Sequence, residues 1–373
     1  MKRRTLLKLV GVGAVAEGLA IACGGATTPP ATAAPTKGAA TSAPTVAATA
    51  APTKAPGTGK LTILGALVGD INDGFAKAYE TESGVKTAAV RLSAGEGLAK
   101  LRADKANPQF SVWLGGAADG FIAAAKEGLL EAYVPAGAEK LAAGYKDKAG
   151  MWSGYYLGVL GVALNTKVLK DKGLPEPASW ADLAKPAYKG QISMAHPASS
   201  GTAYTMMAAI LQLYGKETPD KGFAYLKEFH KNVLQYQKSG AAPARQAGQG
   251  EVAIGIVFAH DILATIDAGF KDLKIMYPSE GTGWEIGAVG LVKGAPDAVE
   301  GKKYLDWMMG GKAQSLLLSL KAYQLPLNPD AAVNPATPKL NSVKVIDYDY
   351  VWAGDRKKEF VDRFSNEIAP APK

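Results

Sequence analysis

The chain has 373 residues, 47% of them apolar and 20% charged, which is enough to bury one or two cores. Its 43 Gly and 22 Pro approach ordinary globular usage once one biased tract is set aside, which excludes collagen-like and wholly disordered chains. The only cysteine, Cys23, excludes an intrachain disulfide, a cysteine zinc cluster and an iron–sulfur site held by several thiolates. Lys2, Arg3, Arg4 and Lys8 against Glu17 carry +3 of the net +8, and the remaining +5 is too little for a nucleic-acid binder.

Residues 1–22 have a basic start, a weakly apolar stretch broken by Gly and by Glu17, and small residues leading to Cys23. This is the pattern of an export signal, and Arg3-Arg4-Thr5-Leu6-Leu7-Lys8 matches the twin-arginine type. Ala20-Ile21-Ala22-Cys23 resembles a lipobox, with Ala20 where Leu is usual, so Cys23 is expected to carry a lipid anchor. Residues 24–59 are almost entirely Ala, Thr, Pro, Gly and Ser, cannot form a core, and span about 35 Å as a coil. No later stretch approaches the roughly 18 consecutive apolar residues of a membrane span.

The folded part begins near Lys60, and its size predicts two lobes. Residues 61–64 are expected as a strand, 71–83 as an amphipathic helix, 87–92 as a strand, 95–106 as a helix, and 110–114 as a strand ending at Gly115-Gly116. A second series follows a strand over 156–164. Residues 190–195 are strand-like, 202–213 form a helix closed by Gly215, 223–232 form another, and 252–258 form an apolar, central strand. Alternating short units predict an α/β fold with mostly parallel sheets flanked by helices.

Open α/β sheets bind ligands beyond the C-terminal ends of their strands, where helices present free N–H groups. Ser93-Ala94-Gly95-Glu96, Ser199-Ser200-Gly201-Thr202 and Ser239-Gly240-Ala241-Ala242 all have that form, which suits a phosphate or another oxyanion; each also fits ordinary helix capping, and Ser93 with Glu96 makes a capping box. Gly116 ends the third strand at the same level. His260 and Asp261 follow the apolar strand, with Glu285 shortly after them. A carboxylate accepts from sugar hydroxyls or an ammonium and imidazole does both, although a structural histidine and a cap explain the first two equally well.

Catalytic patterns are weak. Residues 197–201 lack the first glycine of a nucleophile elbow, Gly281, Gly283 and Gly287 miss the dinucleotide fingerprint, and adjacent His260 and Asp261 on a strand would face opposite ways. A metal could use Tyr155-Tyr156, which fit strand residues better. No catalytic residue, cofactor or metal ligand is therefore assigned.

The stretches "NPQFSVWLGGAADGFIAAAKEGLLEAY", "GYYLGVLGVALNTKVL", "SWADLAKPAYKGQISMAHPASSGTAYT", "QKSGAAPARQAGQGEVAIGIVFAHDI" and "YPSEGTGWEIGAVGLVKGA" closely resemble the ferric-iron-type periplasmic binding proteins of ABC importers. The branch they most resemble is associated with hexose phosphates and other organophosphates, and the resemblance spans about residues 60–330. It implies a two-lobed periplasmic-binding-protein fold of type II with a hinge of crossing strands, near 157–162 and 287–292. One lobe would be 60–157 with 290–325, and the other 162–286 with the tail 326–373. It implies a monomeric receptor, with no enzyme activity, that closes on a small anionic ligand and docks on a membrane permease. Ferric-binding members place a tyrosine pair near the position of Phe258-Ala259-His260-Asp261, and this chain has none there, so hard Fe(III) loses its phenolates. The branch's pattern assigns His260, Asp261 and Glu285 to a sugar. Ser93, Ser199, Ser200, Thr202 and Ser239 are its candidates for the phosphate, and Gly95, Glu96, Gly116, Gly201 and Gly240 are expected to line the same ligand site. Iron(III) import and phosphate-ester hydrolysis remain the alternatives.

Overall fold

The structure, a computed structural model, describes residues 59–372. The export signal, Cys23 and linker residues 24–58 lie outside the described residues. Strands are β1 (Lys60–Gly65), β2 (Lys86–Arg91), β3 (Val112–Ala117), β4 (Leu130–Glu131), β5 (Ser153–Asn165), β6 (Ile192–Ala195), β7 (Val233–Gln237), β8 (Ile254–Phe258), β9 (Leu273–Met276), β10 (Trp284–Val292) and β11 (Leu325–Pro326). The helices that follow the first three strands are α1 (Gly69–Ser83), α2 (Ala94–Ala103) and α3 (Ala118–Lys126). Then come α4 (Thr166–Asp171), α5 (Trp180–Leu183), α6 (Gly201–Gly215), α7 (Pro219–His230), α8 (Ala242–Gln249) and α9 (Ala259–Asp267). The last are α10 (Ala298–Met308), α11 (Gly311–Gln314), α12 (Leu316–Ser319), α13 (Tyr350–Asp355) and α14 (Lys357–Glu367). No helix among the described residues is long and apolar enough to cross a membrane.

The strand order is β2-β1-β3-β10-β5-β8-β6-β7. β5 is long enough to serve two half-sheets: residues 153–159 pair with β10, and 160–164 pair with β8. Parallel pairing holds where strands alternate with helices, in β2-β1-β3 and in β8-β6-β7. The expectation of mostly parallel sheets is corrected at the centre, because β5 and β10 run antiparallel to each other and to β8 and β3. β5 runs unbroken from one half-sheet into the other and pairs antiparallel in both, so the sheet is mixed. β10 lies wholly along the first half-sheet and the chain enters it after Gly283, whose carbonyl accepts from Leu160 N–H, so this crossing falls earlier than the 287–292 expected.

β8 is buried at every position between β5 and β6, as its unbroken apolar run predicts for a strand covered on both faces. α6 is buried from Gly201 through most positions to Leu211, because α7 covers one side and β3 and β8 the other. The first half builds cores around Phe75, Leu114, Trp113 and Phe121, and the second around Trp180, Met207, Ile254 and Phe360. The C-terminal tail joins the two halves. α13 packs on α3, while Phe360 and Phe364 of α14 enter the second core. Lys357 donates to Asp119 at 2.9 Å and the Tyr348 hydroxyl to the same carboxylate at 3.1 Å, all three groups buried.

Candidate functional site

Between the half-sheets lies a cavity of about 60 Å³ on which six helices begin. Its wall includes Val68, Ser93, Ser200, Ala241 and Phe258, the residues that precede α1, α2, α6, α8 and α9, and Gly116 just before α3. The starts of α1, α3, α8 and α9 carry no side-chain cap. Helix N-termini present unpaired N–H groups and the positive ends of their dipoles, so their convergence favours an anion. Ser93 Oγ is buried there without a hydrogen-bond partner.

Sequence-predicted residues divide cleanly. Ser93, Gly116, Ser200, Gly201, Thr202, Gly240, His260, Asp261 and Glu285 all line the cavity. Gly95, Glu96, Ser199 and Ser239 do not. Glu96 accepts from Ser93 N–H at 3.1 Å as a cap, and the Ser199 carbonyl accepts from Gly95 and Glu96 N–H groups at 2.9 and 3.2 Å, joining the halves directly. Ser239 Oγ accepts from the Arg91 guanidinium at 3.1 Å.

The carboxylate side is set by three elements. β8 stops at Phe258 and α9 starts at Ala259, so His260 and Asp261 occupy the first turn of a helix and both face the cavity. The expectation that they alternate across a strand is thereby corrected. The His260 ring stacks on Phe258 at 5.2 Å and meets Tyr156 edge-on at 6.3 Å. Burial pushes its pKa down to about 3, so the imidazole is neutral, and its Nδ1 is enclosed without a partner. Burial pushes Asp261 up to about 7 against the pull of Arg91. Glu285, on β10, is pushed up to about 8, chiefly by burial and further by Asp261, while the Tyr156 hydroxyl opposes the shift. That phenol bonds to Glu285 and to the Gly116 backbone, and burial holds its own pKa well above the ordinary value. Gly158 lets these groups meet: a Cβ there would stand 2.9 Å from Glu285 Oε1 and 3.0 Å from His260 Cε1.

Arg91, Tyr156 and Gln324 also line the cavity, although nothing in the sequence pattern singles them out as ligand contacts. Arg91 and Tyr156 are strand positions, in the alternating β2 and the fully buried β5, and neither pattern marks a cleft position. Val68, Ile71, Ala241 and Asp261 also line an outer chamber of about 410 Å³, so a ligand larger than the inner cavity extends towards it. The cavity thus offers helix ends, hydroxyls and Arg91 together with two proton-holding carboxyls, a neutral imidazole and a phenol. Such a site binds a small molecule with an anionic head and a tail rich in N–H or O–H donors.

A two-lobed α/β body with its polar cleft at the strand ends defines an extracytoplasmic solute-binding protein. The chain belongs to the bacterial extracellular solute-binding protein family, whose profile matches residues 118–352. It is 34% identical to an uncharacterized protein of Haemophilus influenzae over 83% of this chain and 91% of that one. Among solved structures it is similar to the periplasmic binding protein AfuA of Actinobacillus pleuropneumoniae with fructose-6-phosphate bound: 37% identity, TM-score 0.80, covering 83% of this chain and 98% of that one. A putative 2-aminoethylphosphonate-binding periplasmic protein of Salmonella paratyphi A is 26% identical over 69% of this chain and 73% of its own.

Proposed function

We propose that the protein is the receptor of an ABC importer and captures a small organic phosphate or phosphonate between its lobes. The observation that carries this reading is the convergence of six helix N-termini on one cavity that also holds Asp261, Glu285 and a neutral His260. The relatives bound to fructose-6-phosphate and named for 2-aminoethylphosphonate support the ligand class, and one named as a probable ABC transporter periplasmic-binding protein supports the importer. A ligand that touches helix ends from both halves binds the closed form better and shifts the population towards it. The moving bodies are residues 60–159 with 284–325 and residues 160–283, pivoting where β5 and the chain at Gly283 cross, with the tail packed across both. Lipidated Cys23 tethers a monomer to the membrane through the linker, within reach of its permease.

Turnover is not part of this reading. His260 Nε2 lies 3.8 Å from Asp261 Oδ2, beyond a working hydrogen bond, and burial keeps the ring from accepting a proton near neutrality. Iron(III) is less well served, since the cleft presents one phenol, Tyr156, already engaged by Glu285. The test is paired calorimetry with fructose 6-phosphate and fructose. Binding of the phosphate ester without binding of the free sugar supports an anion-anchored ligand; equal binding of both refutes it.

A further inference from the structure

Among the described residues, two other than glycine have a left-handed backbone, Lys321 at φ 54° and Tyr323 at φ 57°. L-residues are strained there, and such strain persists only where the surroundings over-determine it. Both lie in one short segment at the lip of the cleft. Between them Ala322 is buried in the first half's core, and just beyond them β11 pairs Leu325 and Pro326 with Leu157 and Tyr156 of β5. On either side of Ala322, Lys321 Nζ donates to Asp267 Oδ2 at 2.8 Å and the Tyr323 hydroxyl bonds to the same carboxylate. Asp267 is the last residue of α9, whose first turn carries His260 and Asp261.

Lys321 is 71% exposed, and an ion pair of that kind contributes little alone. The consequence of the geometry lies one residue further on. Gln324 lines the cavity at only 5% exposure, and its Oε1 is enclosed with no hydrogen-bond partner. A buried amide oxygen without a donor is unfavourable, and a ligand O–H or N–H removes that penalty.

We propose that residues 321–324 form a clasp that closes the cleft from the first lobe and presents Gln324 as an acceptor for a hydroxyl or ammonium of the bound ligand. This rests on the receptor reading and extends it to a contact and a closing device. α9 couples the two: opening draws Asp267 away from Lys321 as it withdraws His260 and Asp261, so the clasp exists only in the closed state and slows ligand escape.

The test compares the full chain with Gln324→Met, which keeps the volume and removes the acceptor, and with Asp267→Asn, which removes the ion pair alone. Binding of fructose 6-phosphate and 2-aminoethylphosphonate is followed by calorimetry and stopped-flow. Gln324→Met is expected to weaken the probe that binds by tenfold or more, with the ligand-free melting midpoint not lowered. Asp267→Asn is expected to speed dissociation several-fold with association unchanged. Wild-type binding with both variants indistinguishable from it overturns the clasp alone, as does a Gln324→Met variant that melts lower but binds equally. Failure of the wild type to bind either probe overturns the receptor reading and the clasp with it.

Discussion

Asp261 and Glu285 keep protons in the folded state that the unfolded chain has released, with pKa values of about 7 and 8 against ordinary values of 3.8 and 4.5. Their contribution to stability is therefore complete below about pH 4 and is lost as pH rises through 7 and 8. His260 acts in the opposite sense. Its pKa is about 3 against 6.5, so its contribution is present above 6.5 and lost as pH falls from there. The effects oppose each other below pH 6.5, and above it only the carboxyls titrate. Ligand-free protein is expected to lose stability between about pH 6.5 and 8.5, by a few kcal/mol at most at about 1.4 kcal/mol per unit. Denaturant midpoints across that range check this, and the slope should flatten in Asp261→Asn/Glu285→Gln; an unaltered slope there would refute the assignment. The same protons report on the ligand. An ammonium-bearing compound makes the carboxyls ionise and releases protons at pH 7, whereas a sugar hydroxyl does not, a difference that calorimetry in buffers of unlike ionisation heat measures. These three residues were legible in the sequence because they interrupt apolar surroundings. Arg91 and Gln324 were not, since each is a single polar residue with no local pattern: Arg91 ends β2 beside β1, and Gln324 is carried to the cleft by the pairing of β11 with the distant β5.

At the scale of elements, closure depends on the start of α2 meeting the turn before α6. A Cβ on Gly95 would lie 2.3 Å from the Ala198 carbonyl oxygen and 2.7 Å from Ser199 C, both backbone atoms. Gly95→Val is therefore expected to wedge the cleft open. Small-angle scattering should show a larger radius of gyration in the presence of fructose 6-phosphate, with affinity reduced tenfold or more and circular dichroism unchanged; a wild-type radius and affinity would show that this contact does not govern closure. The helix starts at Ser93, Ser200 and Ala242 were visible in the sequence because serines and small residues punctuate the change from strand to helix. The start of α9 was not, because Phe258 passes into Ala259 with no turn residue between them. Periodicity alone cannot mark where such a strand stops, and the error put His260 and Asp261 on opposite faces.

For the whole molecule, the tail ties both halves through a pair 238 residues apart in sequence, Lys357 and Asp119, at 6% and 1% side-chain exposure. Lys357→Met strands a buried carboxylate and is expected to cost about 3–5 kcal/mol in denaturant unfolding, whereas Asp119→Leu/Lys357→Met costs less than either single change. A double variant as unstable as the sum of the singles would show that the pair is not coupled. Composition and alternation made the two-lobed α/β body legible, but not this tie or the antiparallel centre, which arise from contacts between segments far apart in the chain. The central claim is that the cleft takes an organic phosphate or phosphonate. It is tested most directly by thermal-shift titration of protein stripped of carried ligand by unfolding and refolding, against fructose 6-phosphate, 2-aminoethylphosphonate, inorganic phosphate and ferric citrate. Ligand at about 100 times its dissociation constant adds about 2.7 kcal/mol, a visible rise in the midpoint. A phosphate or phosphonate receptor shows that rise with one of the two organic compounds, a smaller one with inorganic phosphate and none with ferric citrate; a rise with ferric citrate alone would contradict an organophosphate-binding cleft.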